Sequence, residues 1–101
     1  MTRIAAYVPD LMDRSKVAAV GGDAVTFVGS PSELAGAGAE VVVVDLARPG
    51  VLEALPALGA VRTIGFASHV DHDLAEAARA AGCGEVLARS RFFSALPDLL
   101  A

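Results

Sequence analysis

The sequence predicts an α/β fold in which a parallel sheet is covered by helices on both faces. Two observations carry this expectation. Five short apolar runs, at residues 4–8, 24–28, 41–44, 61–66 and 85–87, alternate with segments of helical character. The runs are continuous rather than polar–apolar alternating, as in strands buried on both faces. An order of β then α, repeated five times, implies parallel strands joined by right-handed crossovers.

Each helical segment carries its own start and stop. "DLMDRSKVAAV" begins at Asp10, a good N-cap, and ends at Gly21-Gly22. "SPSELAGAG" offers Ser30 as cap, Pro31 at the first helical position and Glu33 at the third. "PGVLEALPALG" is helical but is shortened or kinked by Pro56. "DHDLAEAARAAG" places Leu74, Ala77, Ala78 and Ala81 on one face, with acids in its first turn and Gly82 at its end. "SRFFSALPDLLA" starts from Ser90 as cap. It carries a stripe of Phe93, Leu96 and Leu100, and Pro97 interrupts it.

At 101 residues the chain is expected to form one domain, residues 1–101. Hydrophobic residues make up 54% and charged residues 20%, which fits a folded chain rather than a disordered one. The net charge is -4 and no basic run occurs, which argues against nucleic acid as a partner. No apolar run is long enough to span a bilayer. The opening "MTRIAAYVPDLMDRSK" lacks the layout of a secretion signal, and the single cysteine fits a reducing compartment. A cytoplasmic location is expected.

Open parallel sheets bind ligands beyond the carboxyl ends of their strands, where strand order reverses. In a five-stranded sheet of order 2-1-3-4-5 that crevice lies between the first and third strands. Strand ends then bring Asp10, Asp45, Ser68 and Arg89 to one rim.

The same residues carry a resemblance. "AEVVVVDLARPG" (39–50) is similar to the third strand, phosphoacceptor aspartate and following loop of the receiver domains of two-component response regulators. "VRTIGFASHVDHDLAEAARAAGCGEVLARS" (61–90) resembles their fourth strand, fourth helix and fifth strand. The resemblance implies a flavodoxin-like three-layer α/β/α fold with a five-stranded parallel sheet of order 2-1-3-4-5. It makes Asp45 the phosphoacceptor and places Mg²⁺ on Asp10 and Asp45, held weakly. Receiver domains carry an acid pair after the first strand, where this chain has Pro9-Asp10. Their switch hydroxyl aligns with Ala67, with Ser68 one residue late. Their phosphoryl-contacting lysine is replaced by Arg89, and the following proline by Ser90. Arginine can neutralise a phosphoryl group bidentately, but its planar fork does not fill a lysine's place.

Each of these residues has a plainer reading. Asp45 can be a strand-end carboxylate bonded to loop amides, and Asp10 simply a cap. Arg89 can pair with Asp45 or Asp10. In "SHVDHD" (68–73), capping by Ser68 or Asp71 is expected ahead of a zinc site, because zinc needs several ligands on one side of an element. Cys83 is a small semi-buried residue, and "GGD" (21–23) is a turn. Arg91, Phe92, Phe93 and Leu96 form a candidate partner surface, an aromatic flanked by arginines, including for a homodimer through the last helix. The plainer reading packs Phe93 on the sheet and leaves Phe92 over a rim.

The expected function is a stand-alone receiver-like module, not an enzyme, that acts on a protein partner or on itself. Its phosphoacceptor chemistry is weakened or lost, and it has no cofactor beyond weak Mg²⁺. The alternatives are a working single-domain response regulator phosphorylated on Asp45 with Mg²⁺, and a small enzyme or nucleotide binder that uses the same crevice.

Overall fold

The computed structural model describes residues 2–101. Five parallel strands, β1 (Ile4–Tyr7), β2 (Val25–Phe27), β3 (Val41–Asp45), β4 (Arg62–Ala67) and β5 (Glu85–Ala88), form one sheet in the order β2-β1-β3-β4-β5. Four α-helices accompany them: α1 (Leu11–Gly21), α2 (Val51–Ala54), α3 (His72–Ala80) and α4 (Arg89–Leu99). This is the flavodoxin-like order expected from the sequence, with α/β/α layering.

Strand alternation divides the core in two. Ile4, Ala6, Val8, Val41, Val43, Ile64 and Phe66 face α1 and α4, where they meet Val17, Phe92 and Leu96. Ala5, Val42, Val44 and Ala67 face the other way, toward Val51, Leu55, Leu58 and Ala78. The central strand β3 is buried along its whole length, as its unbroken valine run requires. At β4, the space where a Cβ on Gly65 would sit is taken by Leu46, within 2.8 Å, so that the loop after β3 can fold down onto the sheet.

Two local expectations are corrected. The segment after β2 is not an α-helix but a single 3-10 turn, Pro31–Glu33. Ser30 bonds to the Glu33 carboxylate at 3.0 Å instead of to the backbone, so it does not cap a helix. Gly36 and Gly38 follow, each costing about 1 kcal/mol against helix relative to alanine. Only Leu34 of this segment is buried. The helix that Pro56 is expected to shorten or kink is indeed short, four α-helical residues followed by a 3-10 turn at Leu55–Leu58. Finally, α4 is capped at Ala88, so Ser90 lies inside it, and the helix runs past Pro97 to Leu99.

Two helices follow the sequence closely. Asp10 caps α1, accepting hydrogen bonds from the amides of Met12 and Asp13 at 3.0 Å each. Asp71 caps α3 by accepting from the Leu74 amide at 2.8 Å, and Gly82 beyond it takes φ 108. The buried face of α3 centres on Ala78, with Leu74 and Ala81 packed beside it, whereas Ala77 is exposed.

Candidate functional site

A cleft of about 570 Å³ opens at the carboxyl ends of β1, β3 and β4. Asp10, Asp13, Asp45, Arg48, Ser68 and Arg89 line it, over a floor that includes Phe66. The expected convergence of Asp10, Asp45, Ser68 and Arg89 is therefore present, joined by two residues the sequence reading left out.

Asp45 ends β3 and is nearly buried, at 8% exposure. One carboxylate oxygen accepts the Ala47 amide at 3.1 Å, closing the Asx-turn that an aspartate at a strand end favours. The other accepts the Nε–H of Arg48 at 3.3 Å. The plain reading of Asp45 as a loop-bonded carboxylate thus describes its contacts, and Asp45 also lines the cleft.

Arg89 does not pair with Asp45 or Asp10. Its two terminal nitrogens donate to both carboxylate oxygens of Asp13, one turn into α1. The physical reason lies in the two helix starts. Arg89 occupies the first turn of α4, where a cation opposes the helix dipole. Asp13 sits on the inward face of α1 with 0% exposure and needs a charged partner. The bidentate pair answers both demands. Hydrogen bonding to Asp13 raises Arg89 above its ordinary pKa, and Asp10 and Asp45 add to this through space. Arg89 also lies over the Phe93 ring, 5.1 Å from its centroid.

Asp10 is exposed at the mouth of the cleft. The amide of Asp13 holds its carboxyl below the ordinary value of 3.8, and Met12, Arg89 and Arg48 act in the same direction. A lowered folded-state pKa contributes stability above pH 3.8, which is lost as pH falls through the folded value. In acid unfolding monitored by circular dichroism, Asp10→Asn is expected to keep the cap but flatten the pH dependence in that window. An unchanged acid profile would contradict this.

The other sequence candidates are placed as follows. Ser68 is exposed on the rim, and Ala67 is buried on the face toward α3. Phe92 and Leu96 are corrected: they are core residues at 0% and 2% exposure and cannot form a partner surface. Phe92 stacks on Phe66 with centroids 4.5 Å apart, and half-buried Phe93 meets both rings edge-on. Arg91 alone of that group is exposed. In "SHVDHD", the Nε2 of exposed His72 lies 3.4 Å from a carboxylate oxygen of Glu76, and Asp71 caps α3. Cys83 is buried, and its burial pushes the thiol pKa up.

Mg²⁺ takes near-octahedral oxygen coordination, with one or two carboxylates and several waters. Among the described residues no three His, Cys, Asp or Glu side chains form a group that could hold a metal. Asp13 directs both oxygens at Arg89, Asp45 directs its two at Ala47 and Arg48, and Asp10 caps α1. As placed, these carboxylates do not fit a divalent cation. Nor is any helix, among the described residues, long and apolar enough to cross a membrane.

No family model matches the sequence, and no curated protein matches it. The structure is nonetheless similar to solved response regulators. Chemotaxis protein CheY4 of Vibrio cholerae aligns with TM-score 0.83 at 16% identity, over 99% of this chain and 96% of that one. A response regulator from Hahella chejuensis gives TM-score 0.83 at 16% identity, over 99% and 92%. The Mn²⁺-bound form of response regulator Rcp1 gives 0.78 at 12% identity, over 98% and 91%. This chain has the fold of CheY-like receiver domains.

Proposed function

We propose that a chain with this receiver fold serves as a regulatory module acting through protein contacts, in the cytoplasm, with phosphoacceptor chemistry at Asp45 weakened or lost. One observation carries the reading. Arg89, the cation at the position of the phosphoryl-contacting lysine, is bound on both terminal nitrogens by the buried Asp13. Phosphoryl transfer depends on positioned cations that neutralise developing charge. To meet a phosphoryl group on Asp45, Arg89 would have to leave Asp13, and a buried carboxylate without a partner is costly. Arg48 is likewise engaged with the attacking carboxylate itself. The cleft supplies its own counter-charges, and this supports a module that needs neither metal nor phosphate to hold its shape.

A second reading, a working receiver phosphorylated on Asp45 with Mg²⁺, is favoured by one feature. Asp10, Asp13 and Asp45 share a single open cleft with the Ser68 hydroxyl. The two readings separate on incubation with acetyl phosphate and Mg²⁺, followed by intact-mass measurement. The expected result is no phosphoryl adduct. An adduct that disappears in Asp45→Ala would establish the second reading.

A further inference from the structure

The sheet ends on two edges that differ in kind. β5 carries the charged Glu85, salt-bridged to Arg62. β2 carries Val25, Thr26 and Phe27, with no charge, no proline and no break in its register. Its shortness is the only device that blunts this edge. The Val28 amide donates to the Ala6 carbonyl at 3.0 Å. By the alternation of a parallel ladder, Thr26 and Val28 then turn their main-chain groups toward β1, and Val25 and Phe27 turn theirs outward. The Val25 amide is taken by the Gly22 carbonyl. The Val25 carbonyl and the Phe27 amide and carbonyl are left open among the described residues.

One face of this edge is fixed and the other is bare. Val25 and Phe27 pack toward α1, whose last residue, Gly21, sits so close that a Cβ there would overlap the Val25 side chain. On the opposite face Thr26 is exposed, although its register partner Ala5 is buried. The crossover to β3 holds only the 3-10 turn Pro31–Glu33, and a hollow of about 300 Å³ opens between Ala5, Thr26, Ala37 and Ala39.

Charge decides which way a neighbouring strand runs. Arg14 lies over the Phe27 ring, 4.7 Å from its centroid, and exposed Asp23 stands just ahead of Val25 at the other end. Neither is in an ion pair among the described residues. The other charged groups around this edge are engaged. Glu33, beside Gly29, accepts from the Ser30 hydroxyl at 3.0 Å. Glu40 accepts from the Arg3 amide at 3.2 Å, with the Arg3 guanidinium 4.0 Å away. Asp13 is bound to Arg89. An antiparallel copy centred on Thr26 sets Phe27 opposite Val25 of the second copy and brings Arg14 toward that copy's Asp23. A parallel copy would set Asp23 beside Asp23. The edge is thus complementary to itself under a twofold axis through Thr26.

We infer that two copies of this chain pair antiparallel through β2 and join their sheets into one. The Phe27 amide of each copy donates to the Val25 carbonyl of the other, and the two Thr26 side chains meet across the axis. Glu33 stands near the same end as Arg14, so each arginine lies between its own Glu33 and the second copy's Asp23. So short an edge gives weak pairing, with Kd on the order of 100 µM. Self-contact falls at β2 and not at the last helix, where Phe92 and Leu96 are buried. The inference goes beyond the proposed function and is independent of the chemistry of Asp45.

Sedimentation equilibrium of the whole chain, with amide chemical shifts over the same concentration series, tests this. A monomer–dimer equilibrium is expected, with concentration-dependent shifts centred on residues 23–29. Thr26→Lys, at an exposed site, sets like charges against each other across the axis and is expected to weaken the dimer about fivefold, whereas Thr26→Val keeps it within about twofold. Arg14→Glu and Asp23→Arg are each expected to weaken it about fivefold, and the two changes combined to restore it. A chain that stays monomeric up to about 1 mM would overturn the inference. So would association with shifts centred on α4, or charge variants whose combination fails to restore pairing.

Discussion

Arg89→Ala is expected to destabilise the fold by about 3 kcal/mol, the cost of leaving a buried charge without its partner. The two halves of the pair are not equivalent. Asp13's side chain is 0% exposed, while Arg89's is 36% exposed. Removing Arg89 strands a carboxylate in the interior, whereas removing Asp13 leaves a guanidinium that can turn to water. Asp13→Asn is therefore expected to cost less, about 1–2 kcal/mol. The double variant should cost less than the two single losses added together, since it leaves no buried unpaired charge. Urea unfolding of all four proteins measures this. An Arg89→Ala loss smaller than that of Asp13→Asn would show that Asp13 finds another partner and that the pair is not what holds α1 against α4.

Phe92→Ala is expected to cost about 4 kcal/mol, through lost burial and the cavity left between α4 and the sheet. Phe92 fills the space against Phe66, whose own ring reaches the floor of the cleft. Phe93→Ala should cost clearly less, because half-buried Phe93 already meets water. A surface aromatic replaced by alanine usually changes stability by less than about 0.5 kcal/mol. Thermal and urea unfolding thus distinguish a core Phe92 from one in a partner surface. A near-neutral Phe92→Ala would restore the surface reading.

The fold was legible because its signals are repeated and local. Four valines followed by an aspartate can be buried on both faces only in a central strand, and β3 is that strand. Asp10, Asp71 and Gly82 cap and stop their helices by side-chain and backbone chemistry that sequence shows directly. The helix after β2 was misread because Ser30 and Glu33 satisfy each other instead of the backbone. The phase of α4 was misread because Phe93, Leu96 and Leu100 fit helical spacing as well as Phe92 and Leu96 do. Which stripe turns inward is set by the direct junction of β5 and α4 at Ala88 and Arg89, with no residue between them.

In the site, strand-end logic found Asp10, Asp45, Ser68 and Arg89, because topology alone fixes where strands end. It did not find Asp13. An acid in the first turn of a helix is ordinary on dipole grounds, and only packing reveals that this one faces inward. Arg48 left a fainter trace: an arginine three residues after Asp45, in a loop that the Asx-turn curls back toward the carboxylate.

The central proposal is that Arg89 and Arg48 already answer the charge in the cleft, so that phosphoryl acceptance at Asp45 is weakened or lost. Fluorine NMR of the protein with Mg²⁺ and beryllofluoride, a phosphoryl mimic, tests it most directly. The account predicts only free fluoride species in the wild-type chain. A protein-bound fluorine resonance that vanishes in Asp45→Ala would contradict it.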